Sequence, residues 1–111
     1  MELPLVARAG DATRGRDVFV SRDGNCMLCH AAPGVPASGN VAPPLAGIGA
    51  RLSAGQLRMR VVDITRIKPD AAMPAFHRVN DLAQVASQYR GQPVLNAQQV
   101  EDVVAFLGTL K

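Results

Sequence analysis

The stretch Cys26-Met27-Leu28-Cys29-His30 limits what this chain can fold into more than any other. Two cysteines three positions apart share one face of a helical turn. From that face both thiols reach the two vinyl groups along one edge of a porphyrin. The next residue, His30, brings its imidazole under the iron. C-x-x-C-H therefore reads as the attachment site of one covalently bound haem c, with Cys26 and Cys29 as anchors and His30 as proximal axial ligand. A bare C-x-x-C has two other uses. A zinc site wants two further ligands at similar spacing, and only His77 is a strong candidate. A thioredoxin-like redox pair wants a strand-then-helix setting inside a βαβ pattern, which these flanks do not supply.

The haem reading also makes sense of the composition. At 111 residues the chain is one small domain. Three Phe, one Tyr and no Trp leave its interior short of aromatic surface. A porphyrin, whose flat apolar faces must be buried, fills that shortage and becomes part of the core. The net charge is +3, from 12 basic and 9 acidic residues. Seven of the basic residues lie between Arg51 and Arg90, against three acids. That skew can steer an acidic partner at low ionic strength, although each arginine taken singly reads as part of a solvated face. Compact basic runs interleaved with aromatics are missing, so nucleic acid is not an expected partner.

No stretch approaches the length of a membrane span. The opening Met1-Glu2-Leu3-Pro4 has neither a charged n-region nor an apolar h-region, so no secretory signal is read in it. Haem c is attached on the far side of the bacterial membrane, so a signal is expected to have been trimmed ahead of Met1. Both cysteines are used by the haem. The remaining carboxylates are scattered and read as solvated charges; no catalytic constellation stands out.

Residues 1–10 read as a flexible lead-in and residues 11–111 as the domain. Asp11 is the expected N-cap of a helix running to about Val20, with Val18 and Phe19 on its apolar face. Gly15, one turn before Phe19, predicts close approach by another helix. Residues 31–40 have loop composition. In the proline-rich run that follows, the carbonyl of Pro43 is the candidate acceptor for the second ring nitrogen of His30, and Leu45 is expected against the haem edge. Ser53 and Gln56 spell a capping box. The helix they open places Leu57, Val61 and Ile64 on one buried stripe and is expected to fail before Pro69.

The second axial ligand is expected in Met73-Pro74-Ala75-Phe76-His77. Histidine–methionine ligation raises the reduction potential and favours electron transfer over chemistry at the iron. Met73 is the choice. Met27 lies within the proximal motif, Met59 reads as core or helix surface, and His77, which could give bis-histidine ligation, reads beside an arginine as a surface residue. A further short helix or turn is expected over Asp81 to Arg90. Asn96 and Gln99 then cap a last helix, with Val100, Val103, Val104, Leu107 and Leu110 on one face and Glu101 and Asp102 in its first turn. Phe106 is placed to meet Phe19 and Gly15 where the first and last helices cross.

In this order of elements the sequence resembles the class I cytochromes c. The match narrows in Gln56-Leu57-Arg58-Met59-Arg60-Val61-Val62-Asp63, in Met73-Pro74-Ala75-Phe76, and in Tyr89-Arg90-Gly91-Gln92-Pro93 with the helix that follows. These segments are similar to the SoxX family, the monohaem subunits of the SoxAX complexes of bacterial sulfur oxidation. The likeness covers roughly residues 11 to 111. It implies an all-α class I cytochrome c fold, short helices and loops wrapped around one covalent haem. It also implies a periplasmic location and a SoxA-type cytochrome as heterodimer partner. In that scheme SoxAX joins thiosulfate oxidatively to a cysteine of the carrier SoxYZ, SoxA bears the catalytic haem, and SoxX passes electrons on to a small cytochrome c. The residues agree on one point independently. With both cysteines consumed by thioether bonds, no thiol remains to accept sulfur, so this chain has no catalytic residue of its own. The alternative is a free periplasmic electron shuttle of the same fold.

Overall fold

Local capping signals set the helix starts. The computed structural model describes residues 1, 3–21, 24–28, 30–35, 39, 42–71, 73, 76–77 and 94–111, leaving aside the side chain of Leu28. Among these residues four α-helices occur: α1 (Ala12–Val20), α2 (Ile48–Arg51), α3 (Ala54–Asp63) and α4 (Ala97–Gly108), with 3-10 turns at Cys26–Leu28 and Ile64–Arg66 and no strand. Asp11 accepts the backbone N–H of Arg14 at 2.8 Å and opens α1 where expected. Ser53 with Gln56, and Asn96 with Gln99, form complete capping boxes at the heads of α3 and α4. Each cap satisfies otherwise orphaned N–H groups and contributes about 1 kcal/mol.

Two features differ from the sequence reading. The short α2 was not anticipated, because four residues carry no readable period. Helix α3 ends before Pro69 as expected, but already at Asp63, which leaves Ile64 outside it. Asp63 itself ends it: its carboxylate accepts the N–H and hydroxyl of Thr65 and starts the 3-10 turn instead. Ile64, expected on the buried stripe, falls in that turn and is only half-buried, while Val62 joins Leu57 and Val61 inside. The predicted element over 81–90 lies outside the described residues.

Helix α1 crosses α4 backbone to backbone. A Cβ placed on Gly15 would lie 1.9 Å from the carbonyl oxygen of Asp102, so no other residue fits without parting the helices. One turn on, Phe19 is fully buried and meets Phe106 edge-on, ring centroids 5.3 Å apart at 61°. That geometry suits the aromatic quadrupoles and adds about 1 kcal/mol beyond area burial. Val100, Val103, Val104, Leu107 and Leu110 line the same core with Leu57 and Val61 from α3.

The carboxylates of α4 are not solvated and do not lie in its first turn. Glu101 and Asp102 fall in the second turn and are buried. Arg58 of α3, one of the arginines read singly as part of a solvated face, is buried against Glu101 in a two-pronged pair, Nε to Oε2 at 2.8 Å and Nη2 to Oε1 at 2.9 Å. Arg14 of α1 grips Asp102 likewise, at 3.0 and 3.1 Å. Asp102 also accepts the N–H of Asp11 at 2.9 Å and the amide of Gln98 at 3.0 Å. Burial pushes both carboxyls up. The paired arginines and the N–H donors outweigh it, and each ends below the ordinary carboxylate value.

Residues 1–10 carry several attachments to this helix group. Leu5 donates its N–H to Glu101 at 3.1 Å, Arg58 donates to the Met1 carbonyl at 2.6 Å, and Gly10 abuts the Glu101 carbonyl.

Candidate haem site

The attachment motif leaves α1 through a tight turn. Ser21 ends α1, and the 3-10 turn at Cys26–Leu28 follows. The N–H of His30 donates to the Cys26 carbonyl at 3.0 Å, which hangs His30 one turn below Cys26. The Cys26 side chain is half-buried; Cys29 lies outside the described residues. Burial pushes the Cys26 thiol up to about 11. A redox-active C-x-x-C needs the opposite, a thiol made acidic by its surroundings, so the thioredoxin-like reading loses ground here. Among the described residues, which leave out Cys29, no three His, Cys, Asp or Glu side chains gather as a metal site.

The imidazole of His30 donates from Nδ1 to the carbonyl of Pro43 at 2.8 Å. This is the bond a proximal ligand needs. It puts the ring proton on Nδ1, fixes the ring plane and leaves the Nε2 lone pair for a metal. Proline explains the local geometry: its ring fixes φ and removes a donor, which makes the Pro43-Pro44 carbonyls a stiff, exposed acceptor edge. The loop bearing it is fastened on both sides. Leu45 donates its N–H to Ala31 at 2.8 Å, and the Arg51 guanidinium donates to the Ala46 carbonyl at 2.9 Å. Between these strands of loop lies a shallow apolar hollow lined by Ala31, Ala32, Pro33, Pro44 and Ala46.

Leu45, Met27, Cys26 and Met73 are all partly buried against the one core cluster. Met73 therefore stands among apolar neighbours, as a thioether ligand requires. Pro74 lies outside the described residues. Just beyond, Phe76 and His77 donate their N–H groups to the carbonyls of Val61 and Val62, both at 3.2 Å, which fastens this segment to the end of α3. His77 is not the plain surface residue that its neighbouring arginine indicated: it is half-buried, and its Nδ1 donates to the Leu95 carbonyl at 2.9 Å.

Sequence reasoning missed the bonds that brace the motif. Arg16 of α1 reaches across to the Gly34 carbonyl at 2.8 Å, and Gly39 donates its N–H to Met27 at 2.8 Å. The only available hint was the turn-forming pair Gly24-Asn25 directly before Cys26.

The donor set fits haem c: a half-buried neutral thiol, a histidine oriented through its far nitrogen, and a methionine in apolar surroundings. Residues 12–111 match the model of the family Cytochrome c. The chain belongs to the cytochrome c family. No curated protein matches it. Among solved structures it is similar to a chain of the crystal structure of SoxXA from P. pantotrophus, at 37% sequence identity and a TM-score of 0.90. The likeness covers 100% of this chain and 89% of that one. The class is therefore the expected one, an all-α class I cytochrome c of the SoxX type. No helix among the described residues is long and apolar enough to cross a membrane.

Proposed function

We propose that this cytochrome carries one haem c, bound through Cys26 and Cys29 and ligated by His30 and Met73. In this reading it serves as the electron-accepting subunit of a thiosulfate-oxidising SoxAX complex in the periplasm. The end-to-end likeness to a chain of SoxXA is the observation that supports it most. When bound, the haem supplies a one-electron iron couple. The protein's own residues do the rest. His30, its ring held by Pro43, would ligate the iron through Nε2; Met73, among apolar neighbours, would supply a thioether sulfur and help exclude water; Leu45 would add apolar surface to the pocket. Neither cysteine is left as a free thiol to bind sulfur, so the joining of thiosulfate to a cysteine of SoxYZ belongs to a SoxA-type partner. This chain accepts the electrons released and hands them to a small cytochrome c.

Native purification of the periplasmic protein tests the proposal, with haem stain and intact mass on whatever travels with it. A one-to-one complex with a second c-type cytochrome is the expected result. A stable monomer in extract of thiosulfate-grown cells would instead favour the free shuttle.

A further inference from the structure

Between α1 and Cys26 the chain is bonded to itself at every described step. The Ser21 hydroxyl donates to the Val18 carbonyl at 2.7 Å and accepts the N–H of Gly24 at 3.1 Å. The Ser21 carbonyl takes the N–H of Asn25 at 2.7 Å. Gly24 is pressed on the end of α1: a Cβ there would lie 2.3 Å from the Val18 carbonyl oxygen. Asn25 then adopts φ of +45°, the one non-glycine residue among those described with positive φ. L-residues avoid that region because Cβ crowds the following carbonyl; asparagine enters it more readily than other side-chain-bearing residues. Its side chain is exposed, so core packing does not account for asparagine here. Cys26 follows at once, its sulfur 3.8 Å from the Gly24 carbonyl, and His30 hangs from the same turn through its bond to the Cys26 carbonyl.

We infer that Gly24-Asn25 is a presentation turn for haem attachment, with Asn25 a positioning residue that acts through Cys26. The left-handed step, clamped to α1 by Ser21, sets the direction in which Cys26 and then His30 leave the helix. This rests on the haem c reading above. Attachment is an addition: the thiol S–H adds across a vinyl double bond, sulfur bonds to the carbon next to the ring, and hydrogen goes to the terminal carbon. No electrons are gained or lost overall. A turn already formed in the haem-free chain raises the fraction of molecules whose first thiol faces the vinyl group.

The test uses the full chain behind an export signal in a bacterial host with a c-type maturation system. Intact mass gives the fraction of chains carrying haem, and the pyridine haemochrome band tells whether one or both vinyl groups have reacted. Asn25→Val, whose branched side chain is excluded from positive φ, is expected to lower the haem-bearing fraction about three- to tenfold and to move the band toward a single thioether. Asn25→Gly and Asn25→Asp are expected to load like the parent, a rescue that a side-chain contact would not give. Gly15→Ala weakens the α1–α4 crossing instead and is expected to leave the band in place. Full loading of Asn25→Val overturns the inference, and so does a loss in Asn25→Gly equal to that in Asn25→Val. A parent chain that takes up no covalent haem would be a different result, overturning the haem reading itself.

Discussion

Where α1 crosses α4, protein atoms meet protein atoms throughout. Backbones touch at Gly15, rings meet at Phe19 and Phe106, and Asp102 holds Arg14 with two prongs, as Glu101 beside it holds Arg58 of α3. Around His30 the construction is different. The described elements are a three-residue 3-10 turn, proline-braced loop and a hollow lined by alanines and prolines, joined by single hydrogen bonds. Against the same core cluster Leu45 and Met27, which flank this region in sequence, are only partly buried, as is Met73. The first region is completed by its own side chains; the second leaves apolar surface for a prosthetic group to cover. The difference explains how a chain with three Phe and no Trp has a core at all.

That contrast can be broken by experiment. The largest effect is expected from Glu101→Leu, which removes the two-pronged carboxylate partner of the buried Arg58. Breaking one partner of a buried pair costs about 3–5 kcal/mol, read as a fall in the urea midpoint of the haem-loaded protein. The axial-ligand spectrum of the folded fraction should stay unchanged; if it changes, the two regions are not separable. The same carboxylates set an acid limit. Glu101 and Asp102 titrate below their ordinary values of 4.5 and 3.8. Their stabilisation is therefore complete above those values and is lost as pH falls through the depressed ones. Urea midpoints are expected to be insensitive to these two groups from pH 7 to about 5 and to drop in the acid range below. The double variant Arg58→Met with Glu101→Leu should flatten part of that drop.

Gly15→Ala comes next. Alanine gains about 1 kcal/mol of helix propensity, but its Cβ collides with the Asp102 carbonyl, and the net loss expected is about 2 kcal/mol. An equal or higher melting temperature would show that the helices part at little cost. Met73→Ala sharpens the other side. Its stability cost is about 1 kcal/mol, yet the methionine–iron absorption band should vanish and the reduction potential fall. A retained band would move the ligand assignment to another methionine, and a parent protein without the band would move it to His77. The smallest change is Ser53→Ala, which removes one half of the α3 capping box at about 1 kcal/mol or less and should leave the haem spectrum alone.

Much of the first region was legible because its signals are local. Asp11, Ser53 and Asn96 sit within four residues of the groups they cap, and Gly15, Phe19 and Phe106 lie on helix faces that a period of 3.6 exposes. The ion pairs were not legible. Arg58 and Glu101 are 43 residues apart and Arg14 and Asp102 are 88 apart. A scattered carboxylate in a sequence looks the same whether it will meet water or a guanidinium. At the haem motif the reverse holds: the His30–Pro43 bond spans 13 residues and was still anticipated, because metal-ligand chemistry demands an acceptor and the stiff proline run offers one. What that chemistry does not specify, the left-handed step at Asn25 and the Arg16 brace, left no trace in periodicity.

Leu95 sits just before the cap of α4, donates its N–H to Phe76 at 2.8 Å and receives His77 on its carbonyl. The chain that departs at His77 thus comes back to the place it left. Such a junction acts as a tied neck, independent of what it encloses. Closing a longer interval through the same neck costs only about 0.6 kcal/mol for each doubling. Length can then be changed by insertion between these two residues while α3, Phe76 and α4 keep their mutual registration.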